Sequence, residues 1–369
     1  MSYHPGRMGL AEGTALVFII LFPRVFLTAP ANMVTIAASA GWWVDILAAI
    51  PAIIAVLIIR YVYQYVQGDI VNVAERLFGR MGAWLFSILG IIVFFTNAAI
   101  LLRQFAENTL LTALPQIEFS FIVGWYAFVV ALAAWFGLET LARGTYLLMP
   151  MSIFSLLAVL LLLVPYYDIY NLTPWVGKGI LPSLKQTVLT AGINTGGLIL
   201  MIVAPALQNL RTFTWASIFG IVSSVSIKGL SIMVFTMVFG VNGATEKILP
   251  FFEMARLVYL SRYVQRIESL FIILWVVVGV LGIAISIYMG TYFITRMLLL
   301  PTMRPLIPLS AYLIAQLAMM PPDIATVIRL DSLFVVTVFN AGLYLMPTAM
   351  LLAVLWHKRK GRVRSCSTG

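Results

Sequence analysis

Hydrophobic residues in this chain fall into long blocks and do not alternate with polar ones. Ten blocks stand out, at roughly 10–34, 43–64, 82–104, 119–137, 146–166, 187–207, 214–240, 267–295, 305–321 and 333–356. Most are close to the ~20 apolar residues that a helix needs to cross a bilayer. The period-2 pattern of a membrane strand is absent, which excludes a β-barrel. The pattern therefore predicts an all-α polytopic membrane protein with about ten transmembrane helices. It predicts a single transmembrane domain over residues 1–369, with a first half at about 10–166, a second at about 187–356 and a basic tail at 357–369. Trp42, Trp43, Trp84, Trp125, Trp175 and Trp356 sit near block ends, as an interfacial aromatic belt requires. Two connections, 69–80 and 246–266, mix apolar and charged positions at helical spacing. They read as short amphipathic helices, lying either in the membrane interface or against the protein.

Composition excludes the soluble classes. Hydrophobic residues make up 62% of the chain and charged ones 10%, against about 25% charged in a soluble domain. Too little polar surface remains to cover a water-facing shell, so cytosolic enzymes, disulfide scaffolds and disordered chains drop out. One cysteine and two histidines are too few for a zinc or redox centre. Phosphate-loop, nucleophile-elbow and zinc-protease motifs are missing. We expect no enzyme activity, no metal and no cofactor.

The net charge of +10 has two readings, nucleic-acid binding or cytoplasmic loops rich in Lys and Arg, and in a membrane chain the second prevails. With the N-terminus inside, 13 Lys and Arg fall on the inner side, eight on the outer side, and Arg24 and Lys228 fall within spans. Both termini are expected in the cytoplasm. Arg7 precedes an apolar run from Ala15 to Phe22 that has no clear cleavage site, so a span is favoured over a cleaved leader.

The candidate chemistry lies in two helix interruptions. The first block contains Leu21-Phe22-Pro23-Arg24-Val25-Phe26-Leu27-Thr28-Ala29-Pro30, and the sixth contains Ala191-Gly192-Ile193-Asn194-Thr195-Gly196-Gly197. Proline removes a helix hydrogen bond, and clustered glycines weaken a helix and let a ligand approach the backbone. Secondary transporters place such breaks at matching positions of two inverted five-helix halves, where the freed backbone groups bind solute. A proline kink plus small residues for close packing is the plainer alternative. Breaks in helices one and six of ten favour a binding site. We take Phe22, Pro23, Arg24, Val25 and Phe26 with Gly192, Ile193, Asn194, Thr195, Gly196 and Gly197 as its candidate residues.

Arg24 has three readings: a clamp for a ligand carboxylate, a cation paired with a carboxylate such as Glu12, or a snorkelling side chain if the helix sits off-centre. Lys228, near mid-membrane on the seventh helix, is either a substitute for a bound coupling cation or a structural lysine bonded to carbonyls freed at the sixth-helix break. Asn97 on the third helix, and Gly279, Gly282 and Ser286 on the eighth, are candidate lining. No carboxylate facing the first and sixth helices is evident from spacing.

Further stretches resemble a known family. They are Gly137-Leu138-Glu139-Thr140-Leu141-Ala142-Arg143 followed by Pro150; the loop from Asn171 to Pro182 through Pro174-Trp175; and Leu249-Pro250 through Arg256 to Arg266-Ile267-Glu268, then Phe271 and Trp275. In order along the chain, they resemble the spore germination permease-like proteins. These are the B subunits of GerA-type nutrient germinant receptors, in the amino acid–polyamine–organocation superfamily. The resemblance implies a LeuT-like 5+5 inverted repeat with helices 1 and 6 broken, and a pocket for a nutrient such as an amino acid. It also implies an A-type membrane subunit and a C-type lipoprotein as partners, and residence in the inner membrane of a bacterial spore. Two departures stand out. Phe22-Pro23-Arg24 occupies a break where the family has small residues, and Asn194 stands where an acidic residue is expected. Both leave room for a ligand other than a simple neutral amino acid. Glu139 with Arg143, and Arg266 with Glu268 and Trp275, read as structural or partner-facing.

Three functions are then in play: a receptor subunit whose pocket biases two conformations, a proton- or sodium-coupled amino-acid transporter, and a channel subunit that releases small solutes.

Overall fold

The computed structural model describes residues 8–258 and 268–360, the side chains of 268–271 excepted. Among the described residues the secondary structure is helical apart from a single bridge between Met8 and Leu207. We number ten of the helical segments in chain order. They are α1 (10–37), α2 (41–63), α3 (Ile70–Thr112), α4 (Phe119–Trp135), α5 (Leu138–Leu162), α6 (180–202), α7 (Leu210–Thr245), α8 (Glu268–Met297), α9 (Leu306–Met319) and α10 (324–359). Among the described residues, six helices are long and apolar enough to cross a membrane, and α4 and α9 are shorter apolar ones.

Several boundaries differ from the hydropathy blocks, among them three helix starts. Helix α3 begins at Ile70, not near 82, because the predicted surface helix runs into it through a kink at Gly79 (φ 75°, ψ −177°) that only glycine adopts cheaply. Helix α10 begins at Ile324, not 333, because Asp323 caps it by accepting from the Thr326 amide at 2.7 Å. Helix α6 begins at Ile180. The second predicted surface helix appears as Pro250–Leu257, beyond a matching kink at Gly240 (φ 65°). The rest of that connection, 259–266, lies outside the described residues.

Both predicted breaks are present. Helix α1 runs from Leu10 to Leu21, tightens into 3₁₀ turns over Phe22–Phe26, and resumes at Ala29. Pro23 lacks the N–H that would reach Ile19 and collides with that turn's carbonyl, so the α-helical ladder cannot continue. Gly282 on α8 accommodates the displaced ring, since a Cβ there would lie 2.8 Å from Pro23 Cγ. Helix α6 turns 3₁₀ over Ala191–Leu198. Residues Ala15–Leu21 are all buried, so the first half of α1 is apolar on every side because every side meets protein. Large apolar side chains of α4, α5 and α9, such as Phe128, Phe154 and Leu309, are exposed and suit a lipid-facing shell.

Candidate functional site

Arg24 emerges from the α1 break and is buried. Its Nη1 donates to both carboxylate oxygens of Asp331 on α10, at 2.8 and 2.9 Å. Its Nη2 donates to Asn97 Oδ1 on α3 at 3.0 Å, and Asn97 Nδ2 in turn donates to Ser286 Oγ on α8 at 2.9 Å. The guanidinium also lies 5.6 Å from the centre of the Phe339 ring. One polar knot therefore ties α1 to α3, α8 and α10. Glu12, suggested from sequence as the partner, instead accepts the Gly9 amide at 2.9 Å and caps its own helix. The expectation that no carboxylate faces the first break is likewise overturned by Asp331. It lay just before the hydropathy block and so read as loop.

A second knot sits on the other side of α6. Lys228 on α7 lies 3.6 Å from Asp45 on α2 and donates to Asn194 Oδ1 at 3.4 Å, while Asn194 Nδ2 donates to the Ala48 carbonyl at 3.0 Å. Lys228 thus meets side chains, where the sequence suggested carbonyls freed by the break. All three side chains are buried. The contacts are longer than those of Arg24, so this pair is the looser of the two.

Between the knots the breaks leave a cavity of only ≈ 10 Å³, bounded by Ile20, Val93, Phe94, Asn97 and Phe339 with Gly192, Ile193, Thr195 and Gly196. That is room for about one water. Four of the eleven proposed break residues therefore line it. Asn194 turns to Lys228, and Gly197 packs on Ile221, where a Cβ would fall 2.6 Å from Cγ1. Phe22 stacks on Phe18 at 4.6 Å, and Phe26 meets Phe251 at 4.9 Å and Trp275 at 6.5 Å, forming an aromatic column whose rings do not line the cavity. Pro23 rests on Gly282, and Val25 is buried in the core. Thr195 Oγ1 donates to the Phe339 carbonyl at 2.7 Å, and a Cβ on Gly192 would fall 2.4 Å from the Val335 carbonyl. Helix α10 therefore closes directly on the α6 break. It does so through π-helical turns at Val335–Phe339 and Ala341–Leu345, the kind of widened turn often found at functional sites.

Of the remaining candidates, Ser286 and Asn97 join the first knot, whereas Gly279 and Gly282 make room for Phe105 and Pro23. Glu139 and Arg143 form an exposed ion pair one helical turn apart. Trp275 is buried in the aromatic column. Arg266 and the side chain of Glu268 lie outside the described residues.

Two interrupted helices packed against each other inside a ten-helix membrane bundle define the class: a protein with the fold of secondary solute transporters. The fold resembles that of Mhp1, a nucleobase-cation-symport-1 family transporter solved closed with bromovinylhydantoin bound (TM-score 0.66, 12% identity, 98% of this chain and 96% of that one). It also resembles the Eremococcus coleocola manganese transporter (TM-score 0.60, 14% identity, 94% of this chain and 77% of that one). The chain belongs to the spore germination protein family, whose model matches residues 9–327. Two Bacillus subtilis relatives are similar to it. Spore germination protein YndE is 22% identical over 96% of this chain and 98% of its own length, and spore germination protein KB is 23% identical over 63% and 65%.

Proposed function

We propose that this protein is the membrane subunit of a nutrient germinant receptor in the inner membrane of a bacterial spore. In this reading it binds a small amino-acid-like nutrient between the two breaks and acts with an A-type membrane subunit and a C-type lipoprotein. The first and second halves, about 10–166 and 187–356, each supply one break, and both termini face the cytoplasm. The observation that carries the reading is the closure of the central cavity to about 10 Å³ by α10, with Arg24 already neutralised by Asp331. A nutrient of amino-acid size can enter only by moving α10 and competing for that ion pair. Binding and conformational change are then one event, as a sensor requires. Lys228 holds the second knot as a fixed cation where a coupling ion would otherwise sit.

The alternative is a secondary transporter that moves an amino acid with a proton or sodium ion. The transporter fold supports it, since the same motion of α10 would serve alternating access. Uptake and equilibrium binding of labelled amino acids, measured on one proteoliposome preparation, separate the two. Saturable binding without uptake supports the receptor, and saturable uptake supports the transporter. Absence of both with the partner subunits present rejects the central pocket.

A further inference from the structure

A second, larger cavity lies away from the breaks. It measures ≈ 580 Å³ and lies between the 68–72 turn, the end of α6, α8 and the 300–303 loop. That volume falls in the ~300–1,000 Å³ range of small-molecule sites. Ala206, on its wall, accepts from the Met8 amide, which places the chamber at the same end of the bundle as the start of α1. His357, at the end of α10, bonds the Leu77 carbonyl at that end as well.

The chamber carries one fixed charge of each sign. Asp69 Oδ2 lies 2.9 Å from Arg296 Nη2 as an ion pair and accepts from the Tyr292 hydroxyl at 2.9 Å, while Oδ1 accepts the Asn72 amide at 2.8 Å. Arg296 Nη2 also donates to Asn72 Oδ1 at 2.6 Å. These bonds leave specific capacity unused. Arg296 Nη1 is not sealed by protein and makes no hydrogen bond to a described residue, and a carboxylate oxygen such as Asp69 Oδ1 takes a second donor readily. A guanidinium edge suits a carboxylate, and the open carboxylate position suits an ammonium. Because the pair is neutral overall, a lone anion or a lone cation gains little, whereas a molecule bearing both charges satisfies both groups. Leu138, Ile202 and Val203 supply an apolar wall.

The geometry points to a second solute site here, for the zwitterion of an α-amino acid with an apolar side chain, distinct from the cavity between the breaks. The carboxylate lies on Nη1 of Arg296, the ammonium at Asp69 Oδ1, and the side chain against Leu138, Ile202 and Val203. This rests on the reading of the protein as one that handles amino-acid-like nutrients, and it places a ligand where space for one already exists. Occupancy would brace the 68–72 turn against α8.

The test is equilibrium binding of radiolabelled L-leucine to the full-length protein in detergent, with competition by N-acetyl-L-leucine and L-leucinamide, which each lack one charge. We expect saturable binding by the wild type, with each analogue competing at least tenfold more weakly than leucine. Arg296→Gln should weaken binding at least tenfold. So should Val203→Trp, which fills the chamber without touching either charge, each variant being monodisperse on size exclusion. The proposal is overturned if the wild type shows no saturable leucine binding, if both analogues compete as well as leucine, or if Arg296→Gln and Val203→Trp both bind like wild type. Saturable leucine binding that is unchanged in both Arg296→Gln and Val203→Trp returns the ligand to the central cavity, overturning this site and leaving the receptor reading intact.

Discussion

Arg24 shows how a single charge deep in a membrane bundle is made tolerable, and what its removal should do. Breaking a buried ion pair from one side strands the other charge, at a cost of about 3–5 kcal/mol. Arg24→Gln should therefore lower the melting temperature in detergent sharply by exposing Asp331 to an apolar interior. The double change Arg24→Met with Asp331→Leu should recover most of that loss. A double variant no more stable than the single one would refute the pairing as the reason for burial. Lys228 and Asp45 should follow the same logic with a smaller difference, since their contacts are 3.4–3.6 Å and not 2.8 Å. Adding Asp45→Asn should partly restore a Lys228→Met protein, read by the same unfolding assay. Only half of each pair was legible in the sequence. The arginine and lysine stood out because they interrupt apolar runs, and Asn97 and Ser286 were visible as polar residues on helix faces. Asp45 and Asp331 sit one or two turns inside a helix end, where hydropathy cannot tell a buried acid from a loop residue.

Among the elements, α1 and α6 were the most readable, because proline and clustered glycine break a helix wherever it lies. What they face was not readable, because contact with α10 joins residues more than a hundred positions apart. The glycines of the α6 break consequently differ in what they tolerate. Gly192→Ala would push a methyl group to 2.4 Å from the Val335 carbonyl, which a backbone atom cannot evade without moving α10. That variant should lose ligand response and stability together. Gly79→Ala meets nothing within 4 Å but must adopt φ 75°. Its penalty is conformational only, about 1–3 kcal/mol for a non-glycine residue in this positive-φ, extended-ψ region, and should appear as a drop in melting temperature with ligand response retained. Equal effects in the two variants would contradict this separation of packing from backbone strain.

For the whole molecule, hydropathy alone reached the ten-helix count, whereas the closed state of the central cavity depends on three-dimensional packing. The closure can be tested directly. A Cβ added at Gly342 lies 3.1 Å from Thr195 Cγ2, so cysteines at these two positions, in a Cys366→Ser background, should cross-link readily. The cross-link should abolish nutrient binding at the centre, and reduction should restore it. Central binding that persists in the oxidised protein would mean that α10 need not move.

The π-helical turns of α10 carry a consequence for sensitivity. Where the competent conformation is a minority, apparent affinity falls in proportion to its population. Substitutions that loosen these turns, even at side chains remote from any solute, should shift the dose–response curve to lower concentrations without adding a contact. Those that tighten them should shift it higher. The threshold at which such a protein reacts to its surroundings is then set by the coiling of one helix, and related chains could diverge in threshold while keeping the same chemical preference.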